Sequence, residues 1–195
     1  MNIGKSKTVD YIQIAELHRK YINTGFLSSL GLSFLKLIYK SITSSKYAFC
    51  LVAEENEETI GFVSGTISVG AFYKEFFKRN IFKASLILIP KVLRPKIFKK
   101  IFETILYPVK KDNDLPKAEL LSIVVNETYR GKGISQKLFN KLMEEFKKDG
   151  IDKFKVVVGS NFLPACRFYE KMGGVLHSEI EVHKGEKSRV YVWKI

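Results

Sequence analysis

The sequence predicts an α/β fold, a mixed sheet covered by helices on both faces. Three observations lead there. Two helical periods and a hairpin pattern come first in the chain, and a β-α-β-α-β-β order follows them. In that second part, the β-branched run Leu120 to Val125 turns through glycines into a helical period at Ile134, Leu138, Leu142 and Phe146. The chain then closes on two alternating runs around Lys184-Gly185-Glu186-Lys187, a hairpin.

Residues 1–8 carry no pattern and are expected to fray. Thr8 or Asp10 suits the cap of a first helix in which Ile14, Leu17, Tyr21 and Ile22 share a face. Thr24-Gly25-Phe26 breaks it. A second helix puts Leu30, Phe34, Leu37, Ile38 and Ile42 on its core side and stops at Thr43-Ser44-Ser45. Tyr47 to Ala53 and Thr59 to Ser68 read as strands joined by the acidic turn Glu54-Glu55-Asn56-Glu57-Glu58. After the glycine turn and its helix, Asp149-Gly150 gives a stop. Phe154 to Val158 is the next strand, and Pro164 fits the first turn of a short helix ending at Gly173. Val175 to Val182 and Ser188 to Ile195 form the closing hairpin.

Residues 71–111 differ in kind. They hold eleven Lys or Arg against two Glu, so nine of the thirteen net positive charges lie there, among eight aromatics. Phe72, Phe76, Phe98, Ile101, Phe102 and Ile105 have helical spacing, and Pro90, Pro95 and Pro108 are expected to divide the segment. It reads as a helical insertion in a single domain spanning 1–195.

Bulk composition narrows the class. At 46% hydrophobic and 27% charged residues, the chain is ordinary for a globular protein. No apolar run approaches the ~20 residues of a membrane helix, and the first residues lack a signal peptide's apolar stretch. Cys50 and Cys166 make no metal spacing or disulfide framework, which fits a reducing cytoplasm. The three histidines are scattered, so no metal is expected. A net charge of +13 favours anionic partners: nucleic acid, anionic lipid, or a phosphorylated small molecule.

The glycine turn is the chemical centre of the sequence. A strand that bends through Gly131 and Gly133 into a helix leaves several backbone N–H groups aimed at one spot. The helix dipole adds positive charge there.

The string Arg130-Gly131-Lys132-Gly133-Ile134-Ser135 resembles the R/Q-x-x-G-x-G/A acyl-CoA signature of the GNAT superfamily of N-acetyltransferases. In that family it follows a strand of the L-x-x-I-x-V type, as Leu120 to Val125 does here. Downstream, Phe168-Tyr169-Glu170-Lys171-Met172-Gly173-Gly174 resembles the family's F-Y-E-K-x-G-F segment. The likeness covers roughly residues 8–70 and 117–195. It departs at Ser135, where glycine or alanine is usual, and at Gly174, where an aromatic is usual.

The resemblance implies a mostly antiparallel twisted sheet and acetyl-CoA as co-substrate, moving an acetyl group to a primary amine by direct attack. It implies pyrophosphate on the N–H groups of Gly131, Lys132, Gly133, Ile134 and Ser135, helped by the charges of Arg130 and Lys132. The pantetheine arm would pair with Ile123, Val124 and Val125, where an N–H of Val124 or Val125 faces the thioester oxygen. Asn161 matches the family's CoA-contacting Asn, one residue further from Tyr169 than the usual spacing. Tyr169 matches the general acid, since a phenol is protonated at neutral pH. Glu119 stands where some members place a basic carboxylate. His177 and His183 on the closing hairpin are alternative bases. Cys166, one helical turn before Tyr169, is placed to line a thiol pocket.

Two uses of the basic insertion stay open. In the enzyme reading it walls or lids the acceptor site, and its charge points to an acidic or phosphorylated acceptor, a small molecule or an amino sugar. In the alternative, a nucleic-acid- or membrane-surface-binding protein, the insertion grips the polyanion and the CoA site is vestigial. The aromatics also offer a surface to a second copy of the chain. The enzyme reading, without nucleic acid, is preferred.

Overall fold

The computed structural model describes residues 1–92, 114–183 and 185–195, without the side chains of residues 90–92 and 183. The strands are β1 Asn2–Lys5, β2 Ala48–Glu55, β3 Glu58–Thr66, β4 Ala118–Val125, β5 Lys153–Gly159, β6 Val175–His183 and β7 Glu186–Lys194. The helices are α1 Tyr11–Tyr21, α2 Phe26–Ser29, α3 Leu32–Ser44, α4 Val69–Val92, α5 Ile134–Lys148 and α6 Leu163–Lys171. One seven-stranded sheet has the order β1-β2-β3-β4-β5-β7-β6. Only β4 and β5 run parallel; the other neighbours are antiparallel.

Strand alternation feeds two cores. On one face, Ile14 and Ala15 of α1, Leu35 and Ile38 of α3, and Phe72 and Phe76 of α4 bury Cys50, Val52, Phe62 and Val124. On the other, Leu138, Leu142 and Phe146 of α5 and Tyr169 of α6 bury Leu51, Val63, Leu120, Val125 and Val156. The apolar face read from the period of α5 is the face that packs. Helices on both faces are thus what these sequences require, since β3 is buried from Thr59 to Thr66.

Three local expectations give way. Residues 2–5 do not fray; they pair antiparallel with β2, from Asn2↔Glu54 to Lys5↔Leu51, and so cover its edge. Four residues are too few to show a strand's period. The second helix is two, because Gly31 sits at φ 86 between α2 and α3. Pro90 does not break its helix, as α4 runs on to Val92. The carbonyl that loses its partner there belongs to Leu86, on the solvent side of the helix, where water can satisfy it. Pro95, Pro108 and the spacing of Phe98, Ile101, Phe102 and Ile105 lie outside the described residues.

One irregularity positions everything that follows. Opposite the step from Ser64 to Gly65, β4 advances from Ser122 to Leu120, leaving Leu121 as the extra residue of a bulge. β4 and β5 pair only from Ala118↔Phe154 to Leu120↔Val156. Beyond that point they part, although β4 continues to Val125 and β5 to Gly159.

Candidate functional site

The parted strands present bare backbone. Asn126 N–H donates to the Ile60 carbonyl at 2.8 Å, which sets the antiparallel alternation along β4. The peptide groups of Val124 therefore face β3, and those of Ile123 and Val125 face the gap. Arg130 Nε, donating to the Val125 carbonyl at 3.3 Å, agrees with that orientation. No described group takes the N–H of Ile123 or Val125.

At the end of β4, Asn126 holds the turn. Its Oδ1 accepts from Thr128 N–H at 3.3 Å and from the Tyr21 hydroxyl at 2.8 Å, which ties the turn to α1. Gly131 and Gly133 follow with φ of 77° and 74°. Both are in the left-handed region that glycine enters without strain. A Cβ built on Gly131 would meet nothing within 4 Å, so its requirement is conformational and the space above it is open. The first helical bond runs from Lys137 N–H to the Gly133 carbonyl at 3.1 Å. Among the described residues, the six N–H groups from Gly131 to Gln136 have no partner. They crown a fifteen-residue helix, α5, whose dipole places positive potential at the same spot. Arg130 and Lys132 are exposed at its rim, Arg130 lying 5.1 Å from the Tyr21 ring centroid. Ile134 is buried in the core and Ser135 half-buried.

Tyr169 and Glu119 lie on opposite faces of the sheet, Glu119 one residue before the last β4–β5 pair. Tyr169 packs 6.2 Å from the ring of Tyr191, the cross-strand partner of Val156. Burial holds its phenol well above the ordinary value, so it stays protonated. The hydroxyl makes no hydrogen bond with any described residue. Glu119 sits between Ala118 and Leu120, which point to the α5 and α6 side, and so faces α4, where its charge is felt by Tyr73. Burial raises the Glu119 carboxyl above the usual range, and Lys155, with Nζ 3.5 Å from Oε2, pulls it part of the way back. Oε2 itself is buried without a hydrogen bond.

The remaining candidates scatter. Asn161 is exposed just after β5; beside it, Ser160 has a buried hydroxyl oxygen without a partner. His177 is exposed at a bulge in β6 and contacts Ser178 Oγ at 3.2 Å. The His183 side chain lies outside the described residues. Cys166 is buried, its Sγ 4.0 Å from the Gly159 carbonyl at the end of β5. Lys155 escaped the sequence reading, although a lysine inside the apolar run Phe154 to Val158 was its signal. Among the described residues no cluster of three or more metal-binding side chains occurs.

A mixed sheet whose one parallel pair parts over a glycine turn and a helix N-terminus defines a GNAT-type acyltransferase architecture. The profile of the acetyltransferase (GNAT) family matches residues 19–174, and the chain belongs to that family. No curated protein sequence matches it. Among solved structures it resembles an N-acetyltransferase from Staphylococcus aureus Mu50 at 20% identity and TM-score 0.67, over 99% of this chain and 100% of that one. It also resembles Arabidopsis thaliana NAA60 in complex with acetyl-CoA, at 16% identity and TM-score 0.61, over 100% and 98%. The ribosomal-protein-S18-alanine N-acetyltransferase of Escherichia coli follows at 12% identity and TM-score 0.56, over 100% and 93%. At these identities the likeness is one of fold.

Proposed function

We propose that this protein transfers the acetyl group of acetyl-CoA to a primary amine by direct attack. One observation carries the reading: six unpartnered N–H groups at a helix N-terminus stand beside a strand edge with two more facing a gap. A diphosphate suits the first set and an extended pantetheine amide chain suits the second. Arg130 and Lys132 add charge at the phosphates. Asn161 and Ser160 stand at the opposite lip.

The Val125 N–H, which faces the gap, is the better placed of the two oxyanion donors named above, because Val124 spends its own on β3. Such a donor is typically worth about 3 kcal/mol of barrier. Glu119 serves as base for the incoming ammonium, directly or through water, on the face opposite Tyr169. Its raised affinity for a proton brings it closer to the amine it must relieve. Tyr169 donates a hydrogen bond to the departing sulfur. A phenol gives up its proton less readily than a thiol, and burial widens that difference, so its role is to hold charge on sulfur until solvent returns a proton.

The basic residues of 71–111 support an acidic or phosphorylated amine acceptor, small molecule or amino sugar. A panel of such amines assayed with acetyl-CoA for free CoA, with the N-acetyl product identified by mass, tests the proposal. One amine class should release CoA in step with product. CoA release that no amine raises above hydrolysis would end it.

A further inference from the structure

The apolar side chains on the outward face of α4 have no part in the acetyl transfer as proposed. At 100° per residue, Ile81, Phe82, Leu86 and Ile89 fall within about 140° of arc. All four are exposed: Phe82 84%, Leu86 71%, Ile89 57% and Ile81 52%. Lone exposed apolar residues are ordinary, but four along one stripe of one helix make a patch. The opposite side of α4 is satisfied, with Phe72, Phe76, Ala84 and Leu88 buried in the core. The same outward arc turns basic toward the helix start. Lys74, Lys78 and Arg79 are exposed there, and Lys83 flanks the apolar half. Arg79 is held by Glu75 at 3.1 Å, which leaves Lys74, Lys78 and Lys83 without an ion pair among the described residues.

We infer that this face of α4 docks the protein on an anionic lipid bilayer, with Phe82, Leu86, Ile81 and Ile89 entering the interface and Lys74, Lys78 and Lys83 meeting lipid phosphates. Charge selects the occupant. A second copy seated on this face would bring two basic stripes of a +13 chain together, whereas an anionic surface neutralises them. The shape agrees, because an exposed convex helix fits a plane, and lysine stems reach along apolar surface to place their heads in water. The contact is peripheral, since no helix among the described residues is long and apolar enough to cross a membrane.

The test is flotation of the full chain with vesicles of phosphatidylcholine alone or with 30% phosphatidylserine. The protein should float with the anionic vesicles, and raising salt from 50 to 500 mM should weaken binding at least tenfold. The double variant Phe82→Ser, Leu86→Ser should weaken it roughly a hundredfold, about tenfold for each large apolar side chain removed. Lys74→Glu with Lys78→Glu should abolish the preference for anionic vesicles. All four positions are exposed, and far-ultraviolet circular dichroism should match the parent. Failure to float, or flotation that ignores Phe82→Ser, Leu86→Ser, overturns the inference. So does a lipid-free dimer in sedimentation that the same variant dissociates, because the face would then belong to a second copy.

Discussion

The indole of Trp193 occupies the space that a side chain at Gly174 would need: a Cβ built there would lie 2.5 Å from its Cζ2. The ring cannot withdraw. It stacks on Phe154 at 5.0 Å and 6°, and its Nε1–H donates to the Met172 carbonyl at 3.0 Å. The GNAT-like segment has glycine where an aromatic is usual, and here the space beside position 174 holds an aromatic ring from β7. Gly174→Ala should therefore lower stability by about 1–3 kcal/mol, read from the urea midpoint. In a Trp193→Phe background, where Cζ2 and its neighbours are gone, the same change should cost clearly less.

Gly133→Trp tests the phosphate turn. At φ 74° the new residue carries about 1–2 kcal/mol of backbone strain, which a folded domain tolerates. Its indole stands over the open N–H groups. Acetyl-CoA at a hundredfold excess over Kd should stabilise the parent by about 2.7 kcal/mol and the variant not at all. An equal thermal shift in both removes the turn from the binding site.

Tyr169→Phe separates chemistry from binding. If the phenol supports charge on the leaving sulfur, kcat should fall about a hundredfold while acetyl-CoA affinity, measured by calorimetry, stays within about threefold. A rate equal to that of the parent leaves Tyr169 as a packing residue.

His18 makes stability depend on pH. It is buried beside Tyr39, with Nδ1 2.6 Å from the phenol oxygen and Nε2 without a partner. Burial pushes its pKa down to about 4. Between pH 6.5 and 4 the unfolded chain binds a proton that the folded chain refuses. Stability should fall as pH drops through that window, by about 3 kcal/mol in all, and level off below it. Chemical denaturation at pH 7, 6, 5 and 4 should show this slope in the parent and a flatter one in His18→Gln.

The strand, glycine turn and helix from Leu120 to Phe146 were legible in sequence because the hydrophobic period itself changes there, from a short aliphatic run to a four-residue repeat. Tyr169 and Glu119 were nameable for a different reason, their place in a resemblance, and the structure adds their burial and their opposite faces. The bulge at Leu121 left no mark, because Leu120, Leu121 and Ile123 are all aliphatic and the single Ser122 among them does not fix a register. β1 was hidden by its length. Lys155 was hidden by habit, since a lone lysine in a strand is usually taken as solvated. Its value comes from Glu119, 36 positions away in the chain and adjacent only in the parallel register. Gly31 dividing α2 from α3 is a tertiary decision that local apolar spacing does not record.

The main-chain origin of the donors on Gly131 to Gln136 carries a consequence for how this protein can change. Ordinary substitutions alter what surrounds a peptide hydrogen but do not delete it; proline alone does. Ser135→Pro, at a position in the first helical turn where the ring is sterically welcome, would subtract a single hydrogen from the cradle and leave the charges around it intact. The architecture thus lets rim side chains drift while the seat for a diphosphate persists, with one imino acid as the only natural eraser.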